Sequence, residues 1–236
     1  MAARDRFLEI LAAGPRDPHL VFNPWKDHDG RDLAPRRSAP ARRLENMAAY
    51  LEARARAARV VLLGEAPSHR GCRFSGIAFC SEVELIHKRD LVARRPLALT
   101  SVDSASKPMR ERSAAVIWDE LDRAGCAHEV VLWNAFPWHP FRAPAEGDGD
   151  GPSGPSSNRK PRLVEVEQGR AALDALLSCF THRLAVFAVG KVAEDALARW
   201  DEAGCAGYIR HPAQGGEGRF RAQFRDQVAN GARLKK

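Results

Sequence analysis

The sequence has few cysteines and no long apolar run, and both shortages exclude classes of protein. Its five cysteines are odd in number, widely spaced and without a C-x-x-C pair, which argues against a disulfide framework, a zinc site or a cysteine-held cluster. No apolar run approaches the roughly 18 to 20 residues that span a bilayer. The charged start MAARDRFLEI lacks the apolar block of a signal peptide. We therefore expect a soluble, cytoplasmic protein with reduced thiols, no metal site and no membrane partner.

Length and charge restrict the class of protein less strongly. The chain has 236 residues, of which 44% are hydrophobic, enough to fill a substantial core and to argue against global disorder. Lys and Arg number 37 against 30 Asp and Glu, so the net charge is +7. A positive excess suits a polyanionic partner such as nucleic acid, although many other proteins share it.

The strongest pattern is four short apolar, β-branched runs that alternate with stretches of helical length. The runs cover residues 60–63, 130–133, 184–189 and, more weakly, 207–209, and each is followed by a turn or polar residue. The pattern predicts helices over residues 41–58, 82–93, 109–124, 162–180, 191–203 and 218–233. Such alternation predicts an α/β fold, a three-layer α/β/α sandwich with a central four-stranded parallel sheet.

Two stretches lie outside this pattern. Residues 1–40 are predicted to form an irregular N-terminal extension, and residues 142–161, rich in Gly, Pro and Ser, a flexible loop. Sheet-like runs continue on both sides of that loop, so it is not a domain boundary. We expect one domain over residues 1–236.

Chemically active residues follow the predicted strands. Glu65 comes directly after the first strand, Asn134 ends the second, and His211 follows the fourth, next to the Gly-rich segment 214–216. Because the carboxyl ends of parallel strands share one edge of a sheet, these side chains are expected to lie close together. A carboxylate can act as a base, an amide offers a donor and an acceptor, and a histidine can donate a proton or a hydrogen bond.

Several motifs at these strand ends resemble those of the uracil-DNA glycosylase superfamily. They are VVLLGEAPS, followed by Gly76-Ile77-Ala78-Phe79, the strand ending in Asn134, the segment Asn158-Arg159-Lys160-Pro161, and His211-Pro212. Their order and spacing match from about residue 60 to about residue 220. The resemblance implies the fold predicted above and an enzyme that acts on DNA.

The chain departs from the bacterial and archaeal branches that hold an iron-sulfur cluster through four cysteines. Trp138 and Gly169 stand where the last two of those cysteines would fall. The first motif also ends in Ser68 where a related branch has glycine, and HPAQGG replaces the HPS of many relatives. We therefore expect a divergent bacterial member with no cluster and no other cofactor.

The resemblance implies a role for each residue in a base pocket. Phe79 would stack on a flipped base, Asn134 would recognise the uracil edge, and His211 would donate to the departing base. Glu65 would activate water or stabilise the cationic sugar, and two further residues would line the pocket, Ala66 and Ser68. Each has a plainer interpretation: a core aromatic, a turn asparagine, a structural histidine and a carboxylate that accepts backbone N–H groups.

The implied partner is uracil-containing DNA, single- or double-stranded, bound by a monomer. The residues expected to contact DNA are Arg159, Lys160, Arg210, Gln214, Gly215 and Gly216. The segment 214–216 is placed to enter a duplex but lacks a bulky apolar wedge.

The function predicted from these residues is a monofunctional DNA glycosylase of base excision repair, which hydrolyses uracil from DNA and leaves an abasic site. A non-catalytic or trapping uracil-DNA binder on the same fold is the alternative. A small-molecule nucleobase or nucleotide hydrolase is a third, but it would not need the basic edge. The sequence leaves open whether hypoxanthine, xanthine or mispaired thymine is also accepted.

Overall fold

A computed structural model describes residues 2–15, 17, 19–33, 35–103, 105–143, 154–200 and 205–230. The strands are β1 (Val21–Phe22), β2 (Val60–Gly64), β3 (Val130–Asn134), β4 (His139–Pro140), β5 (Ala185–Val189) and β6 (Cys205–Ile209). The α-helices are α1 (Ala3–Ala13), α2 (Ala39–Glu52), α3 (Cys72–Ser75), α4 (Glu82–His87), α5 (Arg89–Val92), α6 (Arg112–Ala124), α7 (Leu163–Leu177), α8 (Lys191–Arg199) and α9 (Glu217–Phe224). A 3₁₀ turn (Arg36–Ser38) precedes α2, and a π-helical turn (Arg225–Ala229) follows α9.

The four predicted strands form one parallel sheet in the order β3-β2-β5-β6, and β1 pairs antiparallel with β4 in a separate ribbon. β2 and β3 are buried along their whole length, which explains their nearly continuous apolar sequences. The register aligns Gly64 of β2 with Asn134 of β3. The two strands therefore end side by side at the carboxyl edge of the sheet.

Helices cover both faces of this sheet. The chain passes from β2 to β3 through α6, then moves in the opposite direction through α7 to β5 and through α8 to β6. Right-handed crossovers place α6 on one face and α7 and α8 on the other. α9 packs against α6, and α1 packs against α7. The predicted three-layer α/β/α architecture is confirmed.

The predicted helices exist, with different limits. The expected helix over residues 82–93 is divided into α4 and α5 at Lys88, whose backbone is not helical. The helix expected to reach residue 58 ends at Glu52, and the one expected from residue 109 begins at Arg112. The ends of the helices predicted to reach residues 203 and 233 fall partly on 201–204 and 231–236, which lie outside the described residues.

The irregular extension expected over residues 1–40 contains a helix that belongs to the core, so that expectation was wrong. Phe7 and Leu11 of α1 are completely buried, and the Phe7 ring lies 5.3 Å from the ring of Trp133 in β3. The Leu11 carbonyl accepts hydrogen bonds from the Asn23 side chain at 3.0 Å and from the Trp138 indole at 3.0 Å. Such packing is decided by distant residues, which a charged N-terminal sequence does not reveal.

Two buried ion pairs fix the rest of this segment. Asp29 pairs with Arg73, and Asp32 pairs with Arg43. All four side chains are almost completely buried, so each charge depends on its partner for stabilisation.

In the flexible loop predicted over residues 142–161, residues 144–153 lie outside the described residues. Its flanks meet in a bridge between Arg142 and Gly154.

Replacement of Phe7 by alanine tests whether α1 is part of the folded core. Phe7→Ala should lower the free energy of unfolding by about 3–5 kcal/mol, because it removes a fully buried ring beside Trp133. Urea denaturation measures the change. Glu9→Ala, an exposed position of the same helix, is the control and should stay within about 0.5 kcal/mol of the original chain. Equal stabilities of the two variants would show that α1 does not contribute to the core.

Candidate active site at the carboxyl edge of the sheet

The site is built around Gly64, the last residue of the inner strand β2. A β-carbon at this position would lie 2.0 Å from Cζ of Phe79 and 2.9 Å from Oδ1 of Asn134. Both are closer than real contacts allow, so a side chain at position 64 would displace the ring or the amide. The absence of a side chain at Gly64 thus lets Phe79 and Asn134 approach one another at the end of β2.

Asn134 presents a buried amide to this space. The residue is 2% exposed, and its Oδ1 accepts no hydrogen bond from the residues that the structure describes. A buried acceptor without a partner is costly and uncommon in folded proteins, and it is expected where a ligand supplies the donor. Asn134 is therefore suited to bind a group with an N–H donor.

Phe79 forms the aromatic wall of the site. Its φ of 49° lies in the left-handed region, which is unusual for a bulky residue; such strained residues cluster at functional sites. The indole N–H of Trp118 donates to the Phe79 carbonyl at 2.8 Å and holds this conformation. The ring centroid of Phe79 lies 5.9 Å from that of His211. An aromatic face and an imidazole thus meet beside the Asn134 amide.

His211 follows β6 and lies next to Gly190, which joins β5 to α8 and has a φ of 89°. A β-carbon on Gly190 would lie 3.1 Å from Cβ of His211, so the glycine leaves room for the histidine. The backbone N–H of Ala213 donates to Nδ1 of His211 at 3.1 Å. Since Nδ1 is the acceptor, the proton of a neutral ring is on Nε2.

The electrostatic surroundings keep His211 neutral. Burial lowers its pKa to about 4, and the neighbouring charge of Arg210 acts in the same direction. Nε2–H has no hydrogen-bond partner in the described part of the chain. A neutral, preorganised N–H donor of this kind can stabilise negative charge that develops on a ligand without first losing a proton.

Glu65 is held beside the same strand ends. Its backbone carbonyl accepts from the N–H of Phe136 at 3.0 Å, so the pairing of β2 and β3 continues past Gly64 and Asn134. The carboxyl group is half-buried, and burial raises its pKa, while the positive charge of Lys160 opposes the rise. A carboxylate with a raised pKa is a better base than an exposed glutamate.

Two contacts that the sequence did not reveal fix the loop that carries Glu65, those of His139 with Pro67 and of Asn158 with His69. The ring of His139 lies between the carbonyl oxygens of Pro67, at 2.9 Å, and Pro155, at 3.2 Å. The side-chain oxygen of Asn158 accepts from the backbone N–H of His69 at 2.8 Å. The Asn158 motif was visible in the sequence, but its function as a loop anchor depends on a contact 89 positions away.

The remaining predicted pocket residues occupy different surroundings. Ala66 is half-buried and packs against the hydrophobic core. The Ser68 hydroxyl is buried beside Gly71 and the carboxyl of Glu111, the residue preceding α6. Burial raises the pKa of Glu111 to about 7. Ser68 therefore contacts the start of α6, and Glu111 is a second carboxyl group with a raised pKa near the Glu65 loop.

Arg159 does not have the position expected of a DNA contact. Its guanidinium forms two hydrogen bonds with Glu165, at 2.7 and 2.6 Å, and donates further to the carbonyls of Phe141 and Leu20. Glu165 is buried, and the arginines around it lower its pKa to about 2. These internal bonds use the donors that a phosphate would need, so Arg159 fixes the start of α7 instead.

The other five predicted DNA contacts differ in their exposure to solvent. Lys160 is exposed, as are Gln214 and Gly215, both of which have positive φ angles, 52° and 73°. Arg210 is half-buried. Gly216 is buried, and its N–H donates to the Ala213 carbonyl at 3.0 Å. Gly216 closes the loop before α9 and does not offer a surface for DNA.

The positions that carry cluster cysteines in some relatives are filled by packing. The Trp138 indole occupies the space where a β-carbon on Gly14 would lie, and a β-carbon on Gly169 would lie 1.7 Å from the Ala135 carbonyl oxygen. Among the described residues, no group of three or more His, Cys, Asp or Glu side chains could hold a metal ion. These surroundings do not fit an iron-sulfur cluster.

Comparison with known proteins identifies the family. A family model described as the Uracil DNA glycosylase superfamily matches residues 52–228, most of the chain. The chain belongs to this superfamily. The resemblance inferred from the motifs is thus confirmed, and the chain is a member of a family of DNA glycosylases, hydrolases of base excision repair.

Solved structures support the same assignment at the level of the fold. Wild-type SMUG2 from Pedobacter heparinus superposes with a TM-score of 0.61 over 100% of this chain and 95% of its own. The two sequences are 15% identical, so the likeness shows the shared fold. No curated protein sequence matches the chain. Within the described ranges, no helix is long and apolar enough to cross a membrane.

The protonation state of His211 can be measured directly. At neutral pH its ring should be uncharged with the proton on Nε2, because burial lowers its pKa to about 4 and Nδ1 accepts from Ala213. Nitrogen-15 NMR of the histidine rings distinguishes the two tautomers and the imidazolium, and His211→Gln assigns the signal. A charged His211 ring, or a proton on Nδ1, at pH 7 would contradict this geometry.

Proposed function

We propose that this protein is a monofunctional uracil-DNA glycosylase, which hydrolyses the N-glycosidic bond of uracil in DNA and leaves an abasic site. One observation carries the proposal: the buried Asn134 amide, whose Oδ1 has no partner among the described residues, lies with the Phe79 ring at Gly64, and the neutral His211 donor lies beside that ring. Membership of a DNA glycosylase superfamily supports the reaction class.

The amide suits uracil in particular. Uracil presents an N–H donor at position 3 beside a carbonyl acceptor at position 4, which match the Oδ1 acceptor and the Nδ2 donor of one amide. Cytosine presents an acceptor at position 3 and an amino donor at position 4. In the same orientation, its acceptor would face the Oδ1 acceptor and its donor would face the Nδ2 donor. A buried site that cannot satisfy its polar groups rejects the wrong base strongly. The flipped uracil would stack on the Phe79 ring.

The chemistry needs only side chains and water. As the bond between the base nitrogen and C1′ breaks, both electrons remain on the base, and Nε2–H of His211 stabilises the charge on its position-2 oxygen. Glu65 orients the water, takes one of its protons as the oxygen bonds to C1′, and electrostatically favours the cationic sugar. The released base anion then takes a proton from solvent.

Four surface residues near the pocket are proposed to contact DNA: Lys160, Arg210, Gln214 and Gly215.

A non-catalytic uracil-DNA binder is the second candidate, because the same amide and ring could hold a flipped base without cleaving it. The neutral His211 donor and the Glu65 carboxyl favour the enzyme, since a binder needs neither.

Cleavage of a uracil-containing oligonucleotide, followed by alkali, tests the proposal. The protein should nick the strand at uracil, and Asn134→Asp should weaken uracil selection because it replaces the amide donor by a carboxylate. His211→Ala should slow the single-turnover rate about 100- to 1,000-fold with little effect on DNA binding. His87→Ala, at an exposed histidine of α4, is the matched control and should cleave at the original rate.

The outcomes separate the candidates. Tight binding of uracil-containing DNA without release of the base would favour the non-catalytic binder. Release of uracil from the free nucleoside but not from DNA would indicate a small-molecule hydrolase. A His211→Ala variant as fast as His87→Ala would remove His211 from the mechanism.

The dependence of the single-turnover rate on pH reports on Glu65. The reaction needs the carboxylate, whose pKa is raised, so the rate should fall as the pH decreases, beginning above the ordinary range of a glutamate. His211 has a pKa of about 4, so it stays neutral and adds no inflection between about pH 6 and pH 7. Glu65→Gln should slow the reaction and remove the acidic limb of the pH profile, that is, the fall in rate as the pH decreases. Glu45→Gln, at an exposed position of α2, is the control and should retain the original rate and the acidic limb. An acidic limb that persists in Glu65→Gln would assign the base to another carboxyl group, such as Glu111.

A further inference from the structure

A cationic groove opens beside the candidate site, between the first turns of α6 and α9. It encloses about 460 Å³. Three exposed arginines line it from two segments: Arg70 from the loop after β2, and Arg110 and Arg112 from the residues around the start of α6. Asp119 of α6, with Glu217 and Arg221 of α9, completes its polar lining.

The acidic residues of the groove are already neutralised. Asp119 pairs with Lys88 at 2.8 Å, and Glu217 pairs with Arg221 at 2.9 Å. Arg221 also binds the buried Glu120 at 2.7 Å, so its charge is used within the protein. The acidic side chains therefore do not cancel the charge of the three arginines.

Arg70, Arg110 and Arg112 remain available. All three are exposed, and none forms an ion pair or a side-chain hydrogen bond within the described part of the chain. They differ in this respect from Arg159, whose donors are bound to Glu165, and from the buried Arg73. Three exposed guanidinium groups on one concave surface form a site for anions with several acceptor oxygens.

The groove lies at the same edge of the sheet as the candidate pocket, next to two of its loops. Arg70 follows the loop that carries Glu65 and Ser68, and Glu217 follows the loop that carries His211. Both α6 and α9 begin at the carboxyl edge of the sheet, and Glu111, between two of the arginines, contacts Gly71 of the Glu65 loop. This placement puts the groove within the path that a polymer could follow if one of its residues entered the pocket.

We propose that the groove formed by Arg70, Arg110 and Arg112 binds phosphodiester groups of the DNA strand that carries the flipped nucleotide. The proposal rests on the proposed function and adds the path of the strand, on the side of the pocket formed by α6 and α9. Arginine forks bind phosphate oxygens in pairs, and the position of these arginines on two segments suits consecutive phosphates better than one small anion. These contacts position the strand and do not select the base.

DNA binding as a function of salt tests the groove. The probe is a duplex with a tetrahydrofuran abasic analogue, which the protein cannot hydrolyse. Arg110→Gln/Arg112→Gln should weaken binding at low salt and make the logarithmic salt dependence shallower by about 1.8, which corresponds to two lost phosphate contacts at about 0.9 each. Arg110→Lys/Arg112→Lys should restore most of that dependence, because the charge remains.

The matched control removes the same charge elsewhere. Arg56 and Arg94 are exposed and line a cleft near the opposite edge of the sheet, where β2 begins. Arg56→Gln/Arg94→Gln should keep the original affinity and salt dependence. If the groove variant bound DNA like this control, the proposal would be overturned, and an acidic protein partner would become the better explanation of the arginines.

The two proposals fail in distinguishable ways. The groove variant should need a higher protein concentration than the original chain to reach its maximal single-turnover rate on uracil-containing DNA, because it has lost phosphate contacts. If the original chain bound DNA but did not release uracil, the proposed function would fail while the salt dependence still tested the groove. If the original chain released uracil and the groove variant bound DNA normally, the groove alone would be wrong.

Discussion

The missing side chain at Gly64 is the constraint around which the site is arranged. Because β2 is an inner strand and ends in a glycine, the Phe79 ring and the Asn134 amide can occupy the space that any other residue would fill. The parallel register then fixes Asn134 opposite Gly64 and continues as far as the Glu65 carbonyl. An exchange as small as alanine for Gly64 would alter all of these distances together.

Burial acts on the two titratable groups of the site in opposite directions, and both effects suit the proposed chemistry. It raises the pKa of Glu65, which makes that carboxylate a stronger base, and it lowers the pKa of His211, which keeps a neutral N–H donor. The loop that carries Glu65 is held by His139 and Asn158 and not by the sheet alone. Preorganisation of this kind reduces the reorganisation that a reaction requires.

The arginines divide into two populations, which explains why net charge alone is a poor guide to DNA binding. Arg43 and Arg73 neutralise buried aspartates, and Arg159 binds a buried glutamate. Buried charges of this kind require partners and stabilise the fold. The exposed arginines between α6 and α9 have no such partners among the described residues, and the groove proposal depends on them.

The sequence by itself determined the parallel sheet and the four segments that form its strands. Apolar, β-branched runs that are buried on both faces are recognisable without tertiary information. It also determined which residues follow the strands, and hence Glu65, Asn134 and His211. Only the tertiary structure decided that α1 belongs to the core, that Arg159 binds Glu165, and that Nδ1 of His211 accepts a hydrogen bond. Packing partners and side-chain donors depend on contacts between distant segments, and local sequence patterns carry no information about them.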